Sequence, residues 1–215
     1  SSLRYKAIGI YSESDMADSN VPKRPGTMAG DIKIWDANGD GEINSLDRIR
    51  QDLTDIPQIV YGVNLGITWK QFDLSLLFQG QAKVINTIQE TWVDPSSGGA
   101  GNLMQWWTED MWTPENTDGT KPRLGTPNKI NGTTFTNINA AFFKLKNAEI
   151  GYTLPVAVRE KIGVANARVY LSGTNLFSFD HMRGMGIDPE ATGSGYGGWA
   201  LNPQRLINLG VNVSF

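Results

Sequence analysis

From Asp36 to Asp47 the chain reads Asp-Ala-Asn-Gly-Asp-Gly-Glu-Ile-Asn-Ser-Leu-Asp. Side-chain oxygens stand at loop positions 1, 3, 5, 9 and 12, as Asp36, Asn38, Asp40, Asn44 and Asp47. Gly41 occupies position 6 and Ile43 position 8. This is the spacing of an EF-hand calcium loop, where a Gly at position 6 takes the sharp turn and position 7, here Glu42, offers its backbone carbonyl. Ca²⁺ takes ~6–8 oxygens, and only a tight turn aims that many at one point. Asp47 stands where a bidentate Glu is usual. No amphipathic helix leads into the loop, because Asp31-Ile32-Lys33-Ile34-Trp35 alternates as a strand does. The expectation is an EF-like loop on a β-scaffold, holding one structural Ca²⁺. The competing reading is an Asx-rich turn without metal.

Aromatic density is the second chemical feature. Trp92, Trp106, Trp107 and Trp112 fall within one long connection and are followed by Pro114-Glu115-Asn116. Exposed, they would stack on sugars or pack against a partner protein. Turned inward, they would form the small core that lets such a connection hold a shape.

Catalytic patterns are absent. The chain has no Gly-x-Ser-x-Gly, no phosphate loop and no nucleophile beside a base. Glu109-Asp110 and Asp188-Pro189-Glu190 read as loop acids, and Gly193–Gly198 as a flexible extracellular loop. A single histidine, His181, argues against a His-based zinc site, and the absence of cysteine excludes disulfides and thiol chemistry. The net charge of −3 comes with no basic block, which argues against nucleic acid as a partner. The reading is of a protein that is not an enzyme.

The positioning elements are β. Charged residues make up 19% of the chain, and Gly numbers 24, a balance that suits turn-rich antiparallel sheet. No apolar run approaches the ~18 residues of a membrane helix, so any membrane span must be a strand. Ser1 to Tyr5 already reads as strand rather than signal peptide, so the expectation is either a cytosolic chain or the internal start of a longer exported one. The spacing predicts six strands: Leu3–Tyr11, Ile59–Trp69, Phe72–Gly80, Ala141–Leu154, Ala167–Phe177 and Arg205–Phe215. In the last, Ile207, Leu209, Val211, Val213 and Phe215 alternate with Asn208, Gly210, Asn212 and Ser214. Only Lys70-Gln71 separates the second strand from the third, which predicts a hairpin. In Ala141–Leu154 the apolar parity changes between Leu145 and Ile150, which a bulge, or a strand passing from protein contact to lipid, would produce. The spacing also predicts a one- or two-turn helix over Val156–Ile162.

Connections alternate in length. Residues 12–58, 81–140 and 178–204 are long, whereas Lys70-Gln71 and Pro155–Asn166 are short. Short periplasmic turns and long extracellular loops are the pattern of an outer-membrane barrel. Six strands cannot close such a barrel, so the chain reads as a C-terminal piece of something larger.

Taken together, these segments resemble the C-terminal region of SusC/RagA-type TonB-linked outer-membrane proteins. The resemblance rests on Gly30-Asp31-Ile32-Lys33 leading into the Asp-x-Asn-Gly-Asp-Gly loop, then Tyr61-Gly62-Val63-Asn64, and Phe72-Asp73-Leu74-Ser75 with Phe78-Gln79-Gly80. It continues through Trp112-Thr113-Pro114-Glu115-Asn116, Phe143-Lys144-Leu145-Lys146-Asn147, Gly151-Tyr152-Thr153-Leu154-Pro155 and Val169-Tyr170-Leu171-Ser172-Gly173-Thr174-Asn175-Leu176-Phe177. It ends on Asn202-Pro203-Gln204-Arg205 and Leu209-Gly210-Val211-Asn212-Val213-Ser214-Phe215. The calcium-like loop alone also resembles a dockerin repeat, but dockerins need two and a second is missing.

The resemblance implies an all-β chain that forms the last six or so antiparallel strands of a 22-stranded transmembrane barrel. The N-terminal plug domain, the TonB-contacting segment and roughly the first sixteen strands of such a barrel lie outside this chain. It also implies the outer membrane of a Gram-negative, Bacteroidota-type bacterium and import of oligosaccharides or peptides. The implied partners are a SusD-like surface lipoprotein, TonB through the missing N-terminal part, the rest of the barrel and outer-membrane lipid. The alternative is a soluble, secreted, calcium-stabilised β-sandwich that binds carbohydrate.

Overall fold

The computed structural model describes residues 3–88, 93, 103–125, 132–190 and 203–215. Along the chain lie β1 (Leu3–Tyr5), β2 (Ala7–Ile10), α1 (Glu13–Ala17), β3 (Ile32–Ile34) and β4 (Arg48–Arg50). The next elements are β5 (Ile59–Trp69), β6 (Phe72–Ala82), β7 (Ile85–Thr87), α2 (Gln105–Thr108) and β8 (Asn137–Asn139). The last are β9 (Phe142–Thr153), α3 (Val156–Ile162), β10 (Asn166–Asp180) and β11 (Leu206–Ser214).

The five long strands make one antiparallel sheet in the order β11-β10-β9-β6-β5. Its register follows from the alternation of side chains. Val63, Leu65 and Ile67 stand opposite Phe78, Leu76 and Leu74. Leu74 and Phe72 stand opposite Ile150 and Tyr152, and these oppose Leu171 and Val169. Leu171 and Val169 in turn oppose Leu209 and Val211. Residues directly opposite share a face, so one apolar face runs unbroken across all five strands. The other face carries Asp73, Ser75, Gln79, Lys144, Glu149, Arg168, Ser172, Asn208 and Asn212.

The bulge is present. The β6–β9 register slips between Leu77 and Phe78, so Lys146 is left over between Leu145 and Asn147. The β9–β10 register slips beside it, between Thr174 and Phe177. Without those extra residues, Leu145 and Phe143 would point to the ionic face. The Lys70-Gln71 hairpin and the helix over Val156–Ile162 also form as expected. Gly163 ends α3 at φ 71°, where its N–H reaches the Arg159 and Glu160 carbonyls. A side chain at this φ would be strained, which is why Gly suits the position.

One expectation fails. Leu3–Tyr11 is not a sixth strand of the sheet. It breaks at Lys6 into β1, which pairs with β4, and β2, which pairs with β3. The sheet therefore has five strands, and both its edges are unpaired among the described residues.

The main hydrophobic core lies away from the sheet. Ile32, Val84, Ile88, Trp107, Ala140, Met182 and Ile187 pack together, drawn from the three long connections. Those connections therefore fold on one another, at the end of the sheet where β6 and β10 finish and β5, β9 and β11 begin. Exposure is reversed in the wall itself: Leu209 is 75% and Ile67 62% exposed. A sandwich would cover this face with a second sheet, and no described residue supplies one.

Candidate functional site

The predicted metal donors fall in one tight loop. Asp36 accepts the Gly39 amide at 2.7 Å on one oxygen and the Gly41 amide at 2.8 Å on the other. Gly39 and Gly41 take φ of 73° and 85°, which lets both amides turn back toward Asp36. Asn38 accepts from the Asp40 amide and Asp40 from the Glu42 amide, each two residues on, as Asx turns do. Asn44 caps a short 3₁₀ turn, and Asp47 closes a capping box on the Asn44 amide at 2.7 Å.

Asp47 has no exposed surface, and its second oxygen takes the Ala37 amide at 2.9 Å. Burial pushes its carboxyl up, but the amides of Asn44, Ala37 and Asn38 outweigh that and hold it below the usual 3.8. Among the described residues no lysine or arginine pairs with Asp36, Asp40 or Asp47. No three His, Cys, Asp or Glu side chains among the described residues stand close enough together to hold a metal ion. The loop is therefore ordered by its own amides. The donor chemistry suits a hard cation, since a carboxylate oxygen holding one amide keeps a lone pair.

The tryptophans divide. Trp107 is 2% exposed, inside the core, edge-on to Phe135 and to Trp106. Its burial favours the inward reading, as part of the core that lets the connection hold a shape. Trp106 is partly buried, and its indole N–H points to Met104 Sδ at 3.1 Å. It lines an open cleft of about 460 Å³ with Gln105, Glu109 and Met185. Trp112 packs against Gly30, where a Cβ would strike its ring. Trp92 and the Gly193–Gly198 stretch lie outside the described residues.

Two ionic groups escaped the sequence reading. On the polar face Arg168 pairs with Asp73 and Glu149, joining β10 to its neighbour β9 and to β6 one strand further. Toward the long-loop end, Lys144 Nζ contacts both oxygens of Asp188, at 2.6 and 2.7 Å, and Glu190 at 2.8 Å. Lys146, the bulged residue, pairs with Glu190 at 2.9 Å. Gln81 adds a hydrogen bond to the Pro189 carbonyl. Residues 188–190 are thereby fastened against the wall. A signal existed, because Lys144 and Lys146 share the two-residue spacing of Asp188 and Glu190.

No protein-family model matches the chain. It is 29% identical over 224 residues to TonB-dependent receptor P26 of Formosa agariphila, covering 98% of this chain and 22% of the relative. It is 30% identical over 235 residues to TonB-dependent receptor P3 of the same organism, with the same coverage of each. The structure of the RagAB peptide transporter superposes with a TM-score of 0.68 at 25% identity, over 99% of this chain and 22% of that one. The chain thus spans about a fifth of the length of the relatives it matches. Its open five-stranded sheet, with one apolar and one ionic face, matches part of the wall of such a barrel. In sequence and in fold the chain is thus similar to a segment of TonB-dependent receptors of the RagA kind.

Proposed function

We propose that this chain supplies wall and outer rim to a TonB-dependent importer in the outer membrane of a Bacteroidota-type bacterium. The importer works with a SusD-like lipoprotein and takes up oligosaccharides or peptides. One observation carries the reading: the sheet has one wholly apolar face, one ionic face, and every long connection at one end. Lipid covers the apolar face. The ionic face lines the lumen, where water and the plug keep Asp73, Glu149 and Arg168 solvated or paired. The long connections form the outer rim, and the Lys144–Asp188 clamp sets how far residues 188–190 lean over the mouth. Trp106 and Trp112 are the aromatics offered there to cargo or lipoprotein. TonB energises the whole through a part outside these 215 residues. We assign the chain no catalytic step.

The loop at the rim takes one structural Ca²⁺, with Asp36, Asn38, Asp40, Asn44 and Asp47 and the Glu42 carbonyl as ligands. Its support is the donor spacing and the absence, among the described residues, of any lysine or arginine paired with these carboxylates; the ion draws Asp36, Asp40 and Asp47 closer than they stand without it. When bound, the ion supplies positive charge that stiffens the loop.

The test of the importer is genetic and chemical together. Deleting the receptor should abolish uptake of one labelled oligosaccharide or peptide class, and the receptor should co-purify with a surface lipoprotein. Unchanged uptake of every cargo, together with purification alone from detergent extracts, would reject the reading.

A further inference from the structure

At the long-loop end of the wall a cleft of about 430 Å³ opens where β9 begins and β6 and β10 finish. Tyr61, Phe143 and Phe179 form its apolar side, all on the apolar face by register. Tyr61 stacks toward Phe143 at 6.4 Å between centroids, and Phe143 stacks on Phe78 at 5.3 Å. Phe179 is 64% exposed, with Phe177 edge-on beside it.

His181 and Arg183 follow the end of β10 and line the same cleft. Arg183 is exposed, and its guanidinium has no partner among the described residues. The carboxylate in the lining, Asp180, is occupied by its own turn, accepting from Ser178 Oγ at 2.5 Å and the Met182 amide at 3.0 Å. Lys83, one residue past the lining residue Ala82, is also exposed and free of ion pairs.

Rings therefore lie on the wall, and unpaired cations stand where the strands leave it. That is the complement of an amphipathic anion. Aromatic rings suit the boundary between acyl chain and headgroup, and a free guanidinium fork suits phosphate. We propose that this cleft seats a phosphate-bearing lipid of the outer leaflet, of the lipid A type. Acyl chains run along Tyr61, Phe143 and Phe179, and phosphate meets Arg183, with Lys83 as the second cation. This rests on the reading of β5 to β11 as membrane wall.

The test is native mass spectrometry of the receptor containing this segment, in mild detergent. It is titrated with lipid A, with lipid A stripped of its phosphates, and with inorganic phosphate. The receptor should hold lipid A roughly tenfold more tightly than the stripped form, as one charge-assisted contact of this kind predicts. Inorganic phosphate, lacking the chains, should not displace it. Combining Arg183→Glu with Lys83→Glu should cost at least the same factor, and Lys161→Glu, on α3 at the other end, should cost nothing. Equal retention of lipid A and its stripped form by the unaltered receptor overturns the proposal, with no variant needing to fold. Displacement by inorganic phosphate would assign the site to free anion instead. If Val211 faces lipid and these results fail, this proposal falls alone. If Val211 faces water, the wall reading falls first.

Discussion

Lys144 Nζ stands 2.6 and 2.7 Å from the two oxygens of Asp188, 44 residues away, with only 4% of its side chain exposed. A buried ammonium is tolerated only when paired, and Glu190 completes the pairing. Burial pushes the Glu190 carboxyl up, yet Lys144 and Lys146 outweigh it and hold it below the usual 4.5.

The first prediction is acid release of residues 188–190. A depressed carboxyl stabilises the folded state above its unfolded value near 4.5, and loses that contribution as pH falls through the lower, folded value. Hydrogen exchange at residues 182–190 should therefore be slow at neutral pH and rise on acidification below about 4.5. Lys144→Met should release the segment at all pH values, by about 3–5 kcal/mol for a broken buried pair. Protection unchanged by both would mean that the clamp holds nothing.

A second prediction concerns Tyr170, which lies across the strands with its ring over Gly210, its register partner. Any Cβ at position 210 meets that ring. Gly210→Val should cost about 1–3 kcal/mol through overpacking, seen in urea unfolding of the folded barrel, and Tyr170→Ala should restore much of it. A loss left unrepaired by the second change would contradict the contact.

The third prediction separates the two faces. Val211 is 60% exposed on the apolar face, and Asn212 is its neighbour on the polar face. Val211→Arg should impair membrane assembly by about 2–4 kcal/mol, and Asn212→Arg should be tolerated. Heat-modifiable migration of the assembled barrel reads this out. Better assembly of the Val211 variant would invert the faces.

Much of this architecture is legible in the chain because period-two alternation is strong where a strand has one apolar and one polar face. Ile59–Trp69 matches its expected bounds, and the expected Phe72–Gly80 and Arg205–Phe215 fall within two residues of the observed Phe72–Ala82 and Leu206–Ser214. The β9 parity change is legible, but parity does not separate a bulge from a strand passing from protein contact to lipid, and the register shift at Leu77/Phe78 decides for the bulge. Elsewhere the signal is non-local. Leu3–Tyr11 looks like one strand, and only pairing with Arg48–Arg50 and Ile32–Ile34 divides it. A tryptophan in a long connection has no periodicity to say which way it turns, so Trp107 in the core and Trp106 at a cleft look alike. The Lys144–Asp188 pairing is non-local too: the matching spacing of Lys144 and Lys146 with Asp188 and Glu190 is a signal, but it does not place the two segments side by side.

The fourth prediction concerns the Asp36–Asp47 loop. Calcium should slow proteolysis between Asp36 and Asn44, and a chelator should restore it while the long strands stay protected. Asp40→Ala should remove the calcium response without unfolding the loop, because Asp36 and Asp47 hold their amides regardless. Identical cleavage with calcium and with chelator would assign the loop to its Asx turns alone.

The most direct measurement of the account is cysteine labelling of the intact cell. Gln71 sits in the two-residue turn at one end of the sheet, and Thr117 is exposed among the long connections. These 215 residues hold no cysteine, so within them each introduced thiol reports alone. A membrane-impermeant maleimide added outside should label Thr117→Cys and leave Gln71→Cys untouched until the outer membrane is opened. Labelling of Gln71→Cys in intact cells, alone or together with Thr117→Cys, would contradict a wall with all its long connections on the outside.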